Sequence, residues 1–448
     1  MNTECIQFEL GLQGGIGRKL VVKNDGAISS SDAGLVILSQ IEKRNNWIKR
    51  LAGCFSDWRN QTLATYSLEG LLRQVVYGLA QGYEDLVDHD QWRHDPLLAL
   101  VCGREPYREP GAGKSTLNRL ELEGDSNHRY KKLAVNEQKL SRLLAEIFVE
   151  SHVSEPPQVV LDFDSSDIPL HGEQEGRFFH GYYDEYCYLP LFCFCEQWPL
   201  LVQLRTADRD GADGTLEALR WIVPLIRAKW PHTKIIIRAD SGFCRDAILS
   251  WIESQQEVFY VVGLARNSRL EEEVDTQLVA MAVLCRLSGK PQRIFEELLW
   301  QTRESWSCQR RVVAKAEALV GKLNPRFVVT NLPQDQWPAR SLYEDLYCAR
   351  GDMENRIKEH QLQLFSLRTS CHQMKANQLR LWLSTFAYLF FVELRTAIWK
   401  GQEASHWEPS TIRLRVLKVA ATVTVSTRRI VIQLPRSHPW WEWFKTAI

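Results

Sequence analysis

Three acidic residues occupy positions at which a buried sheet could present them to a metal ion. The strand-like run "QVVLDFD" ends with Asp162 and Asp164, which are two positions apart and so share one face of a strand. A second apolar run ends at Asp240 in "RADSGF". Charged groups in an apolar strand are costly unless they pair or bind a cation, and strand ends border the binding crevice of open α/β sheets. These positions are therefore candidates for a metal site.

The third candidate carboxylate, Glu354, lies in the helical segment "SLYEDLYCARGDMENRIKE". Polar and aromatic residues recur there at steps of 4, 3, 4 and 4, which predicts a single helix face made of Tyr343, Tyr347, Arg350, Glu354 and Lys358. A neighbouring apolar stripe is predicted to pack on the sheet, and it consists of Leu342, Leu346, Ala349, Met353 and Ile357.

Two aspartates and one glutamate form a set of hard oxygen donors, which suits Mg²⁺ or Mn²⁺. Two such ions about 4 Å apart can activate an attacking oxygen and stabilise a leaving one in an in-line phosphoryl displacement. Each residue also has a purely structural interpretation. A strand-end aspartate often caps a helix, and Glu354 with Lys358 could form an ordinary i, i+4 surface pair.

The combination of motifs resembles a known enzyme family. Strand aspartate, second strand aspartate and helix glutamate, in that order, resemble the catalytic triad of DDE transposases with a ribonuclease-H-like fold. The run "YCARGDME" is similar to the Tyr-x2-Arg-x3-Glu signature of one group of bacterial insertion-sequence transposases. The resemblance covers about residues 155–400.

The resemblance implies that Asp164, Asp240 and Glu354 are the catalytic carboxylates and hold two Mg²⁺ ions, for which Mn²⁺ can substitute. The family pattern places a small hydroxyl residue or glycine after the first aspartate, which favours Asp164, followed by Ser165. Asp162 is the alternative, and Asp167 is a more distant third.

The resemblance also implies residues that contact DNA. It assigns Tyr347 and Arg350 to a phosphate near the cut. Members of the family carry a lysine seven positions after the glutamate, where this chain has Gln361. The nearest lysine is Lys358, which becomes the candidate for that role.

The activity implied is cleavage of double-stranded DNA at terminal inverted repeats, followed by strand transfer into target DNA, without a nucleotide cofactor. Synapsis of two ends implies a homodimer. Two alternatives remain: a structure-specific nuclease on the same fold, which cuts without joining, and a transposase-derived regulator that only binds DNA.

The order of predicted elements is three strands, a helix, a strand, a helix and a strand, which predicts an α/β fold with a mixed sheet flanked by helices. The predicted organisation is a mainly helical DNA-binding region (1–150), a catalytic core (155–265 and 341–400), a β-rich insertion (266–340) and a basic C-terminal region (401–448). Within the first region, the apolar residues of 68–79 recur at helical spacing.

The composition of the 448-residue chain is that of a globular protein with zero formal net charge. Residues 410–448 hold seven Lys/Arg and one acid, which is a possible anion-binding surface or a solvated face. Eleven cysteines without a Cys-x-x-Cys pair favour free thiols in a reducing compartment. The N-terminus does not resemble a signal peptide, and the longest apolar helical stretch, 381–392, is predicted to be a buried helix. We therefore expect a cytoplasmic protein that contacts no membrane.

The string "GAGKSTL" (111–117) resembles part of a phosphate-binding loop. That motif requires a glycine five positions before the Gly-Lys pair, and here the residue is Arg108. The preceding run is rich in proline and does not resemble a strand. The stretch is therefore predicted to be a loop that starts a helix, with Ser115 or Thr116 as its N-cap.

Overall fold

The computed structural model describes residues 7–10, 20–23 and 26–448. The first two segments, Gln7–Leu10 and Leu20–Lys23, form an antiparallel pair. The region that follows is mainly helical, as predicted, and its helices are α1 Leu35–Asn45, α2 Trp47–Ala52, α3 Leu68–Gln81, α4 His89–Trp92, α5 Pro96–Val101, α6 Lys114–Glu121 and α7 Glu137–Glu150.

Helix α3 shows how local sequence sets these boundaries. The Ser67 hydroxyl accepts a hydrogen bond from Gly70 N at 3.0 Å and caps the first turn. Gly82 ends the helix with φ +95°, a conformation that favours glycine. The predicted apolar stripe is buried between these two ends.

A nine-stranded mixed sheet forms the centre of the molecule. Its strands are β1 Gln158–Ser165, β2 Leu191–Cys195, β3 Trp198–Gln203, β4 Lys234–Ala239, β5 Val258–Leu264, β6 Gln292–Trp300, β7 Arg310–Leu319, β8 Lys322–Leu323 and β9 Arg326–Thr330. Their order is β3-β2-β1-β4-β5-β9-β7-β6, with β8 paired to β7.

Strands β1 to β5 follow the predicted order of three strands and then two strands, each preceded by a helix. β1, β2 and β3 are antiparallel neighbours, whereas β4 is parallel to both β1 and β5. Helices α8 (Thr215–Lys229) and α9 (Asp246–Glu253) make the two crossovers. The predicted α/β class and mixed sheet flanked by helices are confirmed.

The segment 266–340 begins with two helices, α10 (Ser268–Glu273) and α11 (Asp275–Ser288). Its strands do not form a sheet of their own, because β9 pairs with β5 and so extends the central sheet through β7 to β6. The segment is rich in strands, as expected, but it is continuous with the core through backbone hydrogen bonds.

Several short strands lie outside the central sheet. Residues 176–195 form three strands, of which only the last joins the central sheet. These peripheral strands form three small sheets, and they are Ser29–Ser30, Phe55–Asp57, Leu133–Val135, Ile168–Pro169, Phe178–His180, Glu185–Tyr188, Ala421–Val425 and Ile430–Gln433.

Two long helices follow the sheet. Helix α12 occupies residues 339–363 and packs on one sheet face, where its Leu342 and Leu346 meet Ile236 and Val261. Helix α13 (Met374–Glu393) continues through a wide turn, Leu394–Ile398. By length and composition this 25-residue segment could cross a membrane, but 78% of its apolar window is buried inside the protein, in keeping with the predicted buried helix.

Helix α13 joins the N-terminal helices to the sheet in one hydrophobic core. The Phe390 ring lies 5.4 Å from Trp47 of α2 and 5.5 Å from Tyr77 of α3. Trp47 in turn lies 6.4 Å from Trp198 of β3. The predicted domain boundary near residue 150 is therefore not accompanied by a break in packing.

The C-terminal segment contains α14 (residues 409–417) and α15 (Trp441–Ala447). Three of its seven cations serve internal contacts. Arg413 donates to backbone carbonyls of α3, and Lys418 pairs with a buried aspartate at 2.8 Å. The Arg415 guanidinium lies 4.5 and 4.2 Å from the ring centroids of Trp407 and Trp440. The other four cations are exposed, so the anion-binding surface predicted for this region consists mainly of these four.

The "GAGKSTL" loop starts α6, as predicted, but its N-cap is Gly113 rather than Ser115 or Thr116. Asp90 accepts a hydrogen bond from Lys114 N at 2.9 Å, and it forms an ion pair with Lys114 Nζ at 3.3 Å. A protein carboxylate thus already occupies the helix start, which is where a phosphate-binding loop would place phosphate.

Candidate active site

Asp164 lies near the carboxyl end of β1, on the sheet face covered by α12. Its Oδ1 accepts a hydrogen bond from Ser165 N at 2.9 Å, and its Oδ2 accepts one from Arg350 Nη1 at 3.0 Å. Its side chain is 15% exposed. The carboxylate is thus partly shielded but reachable from solvent.

Asp162, two residues earlier on the same face, is in a different situation. Arg238 of β4 donates to it from Nε at 2.5 Å and from Nη2 at 2.7 Å. The same guanidinium donates from Nη1 to the Leu346 carbonyl of α12 at 2.6 Å. This buried fork uses both oxygens of Asp162 and fastens the helix to the sheet.

Asp240 follows the last residue of β4. Phe163 is opposite Ala239 in the parallel register, so Asp164 and Asp240 come next at the same end of two adjacent strands. One oxygen of Asp240 accepts a hydrogen bond from Gly242 N at 2.8 Å and caps the short turn Ser241–Phe243. The structural interpretation of this aspartate as a cap therefore applies, and it leaves the second oxygen for other contacts.

Gly263 on β5 allows α12 to approach this strand end. A Cβ atom at this position would lie 2.6 Å from Tyr347 Oη and 2.8 Å from Ser241 N, well inside van der Waals contact. Only glycine therefore leaves room for the tyrosine hydroxyl here. Burial raises the pKa of Tyr347, so the hydroxyl stays protonated and can donate a hydrogen bond.

Helix α12 is not a uniform α-helix. Wide turns at Leu342–Tyr347 and Glu359–Gln363 flank a tight turn at Cys348–Arg350 and a regular segment at Gly351–Lys358. Such local widening is frequent at functional sites and shifts side chains relative to regular α spacing.

The irregular turns change the predicted faces of α12 at two positions. Tyr343, expected on the polar face, is buried, with its ring 5.5 Å from that of Phe295. Ala349, expected on the buried stripe, is exposed. Both differences arise because the prediction assumed 3.6 residues per turn throughout.

Arg350 joins two of the three candidate carboxylates. It donates from Nη2 to Glu354 Oε1 at 2.7 Å as well as to Asp164. Tyr347, Arg350 and Glu354 therefore lie together, as predicted, near the ends of β1 and β4. Lys358 is exposed one turn further along and, within the part of the chain that the structure describes, forms no ion pair.

The charges at this site act on one another. Burial raises the pKa of Asp164 to about 6; Arg350 opposes this shift, and the carboxylates of Asp240 and Glu354 add to it. For Arg350, burial alone would lower the pKa, but Asp164, Glu354 and Asp240 raise it above its ordinary value. The three carboxylates thus share one electrostatic environment with a single arginine at its centre.

Burial and the negative charges of Asp240 and Glu354 raise the pKa of Asp164, so a further cation beside it would favour its ionised form. The donor set fits divalent metal chemistry, because all three candidates are carboxylates. They do not form a closed metal cage: among the residues described, no group of three or more His, Cys, Asp or Glu side chains is arranged to hold a metal. The Arg350 guanidinium occupies the space between Asp164 and Glu354 instead.

Gln361, at the position of the family's lysine, faces the loop after β1. Its amide nitrogen lies 3.1 Å from Ser166 Oγ and 3.2 Å from the Asp167 carbonyl. It therefore ties the end of α12 to the segment just after Asp164. Nearby, the Glu359 carboxylate accepts hydrogen bonds from Arg395 at 3.0 and 2.9 Å and secures the same helix end to α13.

Sequence reasoning missed Arg238 and Gly263, although both carried a signal. Arg238 is a charged residue within the apolar run "KIIIRA", so it required a buried partner. Gly263 interrupts the apolar run of β5, where glycine often marks a close approach.

Trp300 and Trp306 are both buried, and each has an arginine guanidinium over its ring. Free thiols were predicted, and the ten cysteines that the structure describes are all unpaired, with Cys187, Cys193 and Cys195 buried.

Comparison with known proteins identifies the family. The model of the family "Transposase DDE domain group 1" matches residues 12–448. No curated protein matches the chain. Among solved structures, the cryo-EM structure of a piggyBac transposase synaptic complex with hairpin DNA aligns with 10% identity and a TM-score of 0.44, over 85% of this chain and 78% of that one. Because the family model covers nearly the whole sequence, the chain belongs to the DDE transposases and is a DNA-cleaving polynucleotidyl transferase.

Proposed function

We propose that this transposase cuts DNA at the ends of its element and joins the freed 3′-OH to target DNA, with Asp164, Asp240 and Glu354 as its catalytic carboxylates. The observation that carries the proposal is Arg350, which bridges Asp164 to Glu354 beside the strand end that holds Asp240. Asp162 is the weaker candidate because Arg238 already binds both of its oxygens.

DDE transposases generally use divalent metal ions. In this chain Asp164, Asp240 and Glu354 would hold two Mg²⁺ ions, with Mn²⁺ as a substitute. Such ions supply activation of the attacking oxygen and neutralisation of the leaving one. The protein's own contribution is Arg350, which opposes the rise in the pKa of Asp164, and Arg238, which fixes the helix that carries Glu354 to the sheet.

Double-stranded DNA is the proposed substrate, and α12 supplies its contacts near the cut. Arg350 offers a forked donor that can move from the carboxylates to a phosphate, and Tyr347 offers a protonated hydroxyl beside Gly263. Lys358 is exposed on the same helix and is suited to a phosphate further along the duplex.

A groove in the N-terminal helical region supports its assignment to DNA-end binding. The groove has a volume of about 360 Å³ and includes Arg119, Arg129, Tyr130 and Lys132 in its lining. Tyr130 is 58% exposed, and the two arginine guanidinium groups lie 5.8 and 5.0 Å from the centroid of its ring. Exposed cations around an aromatic ring suit a phosphate backbone with an accessible base or sugar.

The test of the active site is cleavage of a duplex that carries the element end. Asp240→Ala should abolish cleavage in Mg²⁺ while binding to the same duplex persists. Asp335→Ala, at an exposed loop aspartate, is the matched control and should cleave normally. Undiminished cleavage by Asp240→Ala would exclude this residue from catalysis.

The test of the N-terminal groove is the salt dependence of end binding. Replacing both Arg119 and Arg129 by Ala should reduce the slope of log K against log salt by about two. The exposed residues Lys43 and Lys229, outside both the groove and the basic C-terminal region, provide the control when both are replaced by Ala. An equal loss in both double variants would show that the effect is general charge and not the groove.

The nuclease alternative makes a separate prediction. A nuclease on the same fold would cut the end-containing duplex but leave no joined product in a strand-transfer assay. The regulator alternative would show neither product, and the presence of all three carboxylates in this chain disfavours it.

A further inference from the structure

Helix α11 has apolar residues on two sides. Met281 and Cys285 are buried against Ala318 of β7. The opposite side exposes aliphatic side chains, and they are Val279 (56% exposed), Val283 (53%), Leu284 (46%) and Leu287 (79%). A helix that is apolar all round is normally covered on all sides, and the described part of the chain places no element over this surface.

The surface continues beside α11. Ala282 and Cys285 line one side of a groove of about 490 Å³, and Val320 and Leu323 of the β7–β8 hairpin line the other. Val320 is itself 73% exposed. The protruding Leu287 and an apolar groove therefore lie on one surface, which is the requirement for a self-complementary contact.

Charge is distributed unevenly along this surface. Its N-terminal end carries exposed Glu272, Glu273 and Asp275, whereas its C-terminal end carries exposed Arg286 and Lys290. None of the five forms an ion pair with another described residue. Two copies of α11 packed antiparallel would place the acidic end of each against the basic end of the other. The positive end of each helix dipole would also lie beside the negative end of the other, which is favourable.

We propose that α11 and the adjoining hairpin form the contact with a second copy of this chain, related by a two-fold axis that crosses the helix near Val283. Val279 of each copy would then lie opposite Leu287 of the other, and Asp275 near Lys290. The 14-residue helix provides a contact about 21 Å long, and the hairpin widens it. The contact uses none of the proposed catalytic residues, so dimerisation and cleavage can fail independently.

Sedimentation velocity of the full chain without DNA tests the proposal. The wild-type chain should be a dimer at about 10 µM, a concentration well above that needed for a specific homodimer. Val283→Asp should weaken association at least about 100-fold, because two-fold symmetry buries the substituted residue twice. Leu287→Glu is a second variant, and Val153→Asp, at another exposed valine, is the control. A monomeric wild-type chain, or a dimer insensitive to both α11 variants, would overturn the proposal.

A charge reversal tests the antiparallel arrangement. Asp275→Lys and Lys290→Glu should each weaken the dimer several-fold, and the chain carrying both should recover most of the loss, because each copy then offers a reversed pair. The far-UV circular dichroism spectrum of each variant should match that of the wild-type chain, since both positions are exposed. If the double variant loses as much dimer affinity as the two single variants together, the antiparallel arrangement is excluded.

Discussion

Asp162 and Asp164 lie two residues apart on one face of one strand, and each is hydrogen-bonded to an arginine, yet their environments differ. Arg238 binds Asp162 with two hydrogen bonds inside the sheet and adds a third to the backbone of α12. Arg350 gives Asp164 one hydrogen bond and shares its other arm with Glu354.

The difference follows from position along β1. Asp162 lies where β4 and α12 enclose the strand, so its charge must be matched within the protein. Asp164 lies where the strand reaches the edge of the sheet, next to two more carboxylates, so one arginine is shared among several negative charges. The first arrangement supports the structure, and the second leaves charge available for a metal ion or substrate.

The largest expected effect separates the two aspartates by activity. Asp164→Asn should lower DNA cleavage by about 10⁴-fold or more, the loss typical of removing one carboxylate from a catalytic group. The measurement is single-turnover cleavage of an end-containing duplex in Mg²⁺. Residual cleavage by Asp164→Asn within tenfold of the wild-type rate would return Asp162 to consideration as the first catalytic carboxylate.

The next effect separates them by stability. Asp162→Ala should destabilise the fold by about 3–5 kcal/mol, because it leaves the Arg238 charge buried without a partner. Urea unfolding measures the change, and Asp164→Ala is the comparison, with a much smaller expected loss. The joint replacement Asp162→Leu with Arg238→Met should restore most of the stability, and a double variant as unstable as Asp162→Ala would contradict the paired-charge explanation.

A third prediction concerns pH in the metal-free protein. The folded-state pKa of Asp164, about 6, is above its ordinary value of 3.8, so on raising the pH the unfolded chain releases this proton first. Asp164 therefore contributes its full stabilising free energy below about pH 4, and this contribution is lost as the pH rises through about 6. As the pH rises across this window, the free energy of unfolding of the wild-type chain should fall by at most about 3 kcal/mol relative to that of Asp164→Asn. Urea unfolding in a chelator at several pH values tests this, and parallel curves for the two proteins would contradict it.

The smallest expected effect lies on the exposed end of α12. Lys358→Ala should weaken duplex binding only a few-fold and reduce the salt slope by about one, since it removes one phosphate contact. Cleavage at saturating protein should change little. A loss of cleavage comparable to that of Asp164→Asn would move Lys358 from the DNA-binding surface into the catalytic site.

Much of the fold was predictable because the signals were local. The apolar runs of β1, β4 and β5 and the periodic helices between them define the order of elements, and right-handed crossovers leave few ways to assemble them. What could not be predicted was which sheet β6, β7 and β9 would join. Their pairing with β5 depends on contacts distant in sequence, and the strand pattern is the same for a separate sheet or an extended one.

The sequence predicted which side chains lie together at the candidate site, but not the hydrogen bonds between them. Spacing placed Tyr347, Arg350 and Glu354 together, because regular helical periodicity holds over those residues. It misplaced Tyr343 and Ala349, because the wide turns of α12 are not encoded by any simple spacing rule. It also left Asp162 and Asp164 as alternatives, since alternation alone gives both the same face.

The sequence by itself determined which residue types could act: a strand aspartate, a second strand aspartate and a helix glutamate, beside a tyrosine and an arginine, in an order typical of DDE transposases. Only the tertiary structure decided how the two arginines are divided between the two aspartates. That division depends on the register of β1 against β4 and on the approach of α12 over Gly263, both of which are set by packing between segments far apart in the chain.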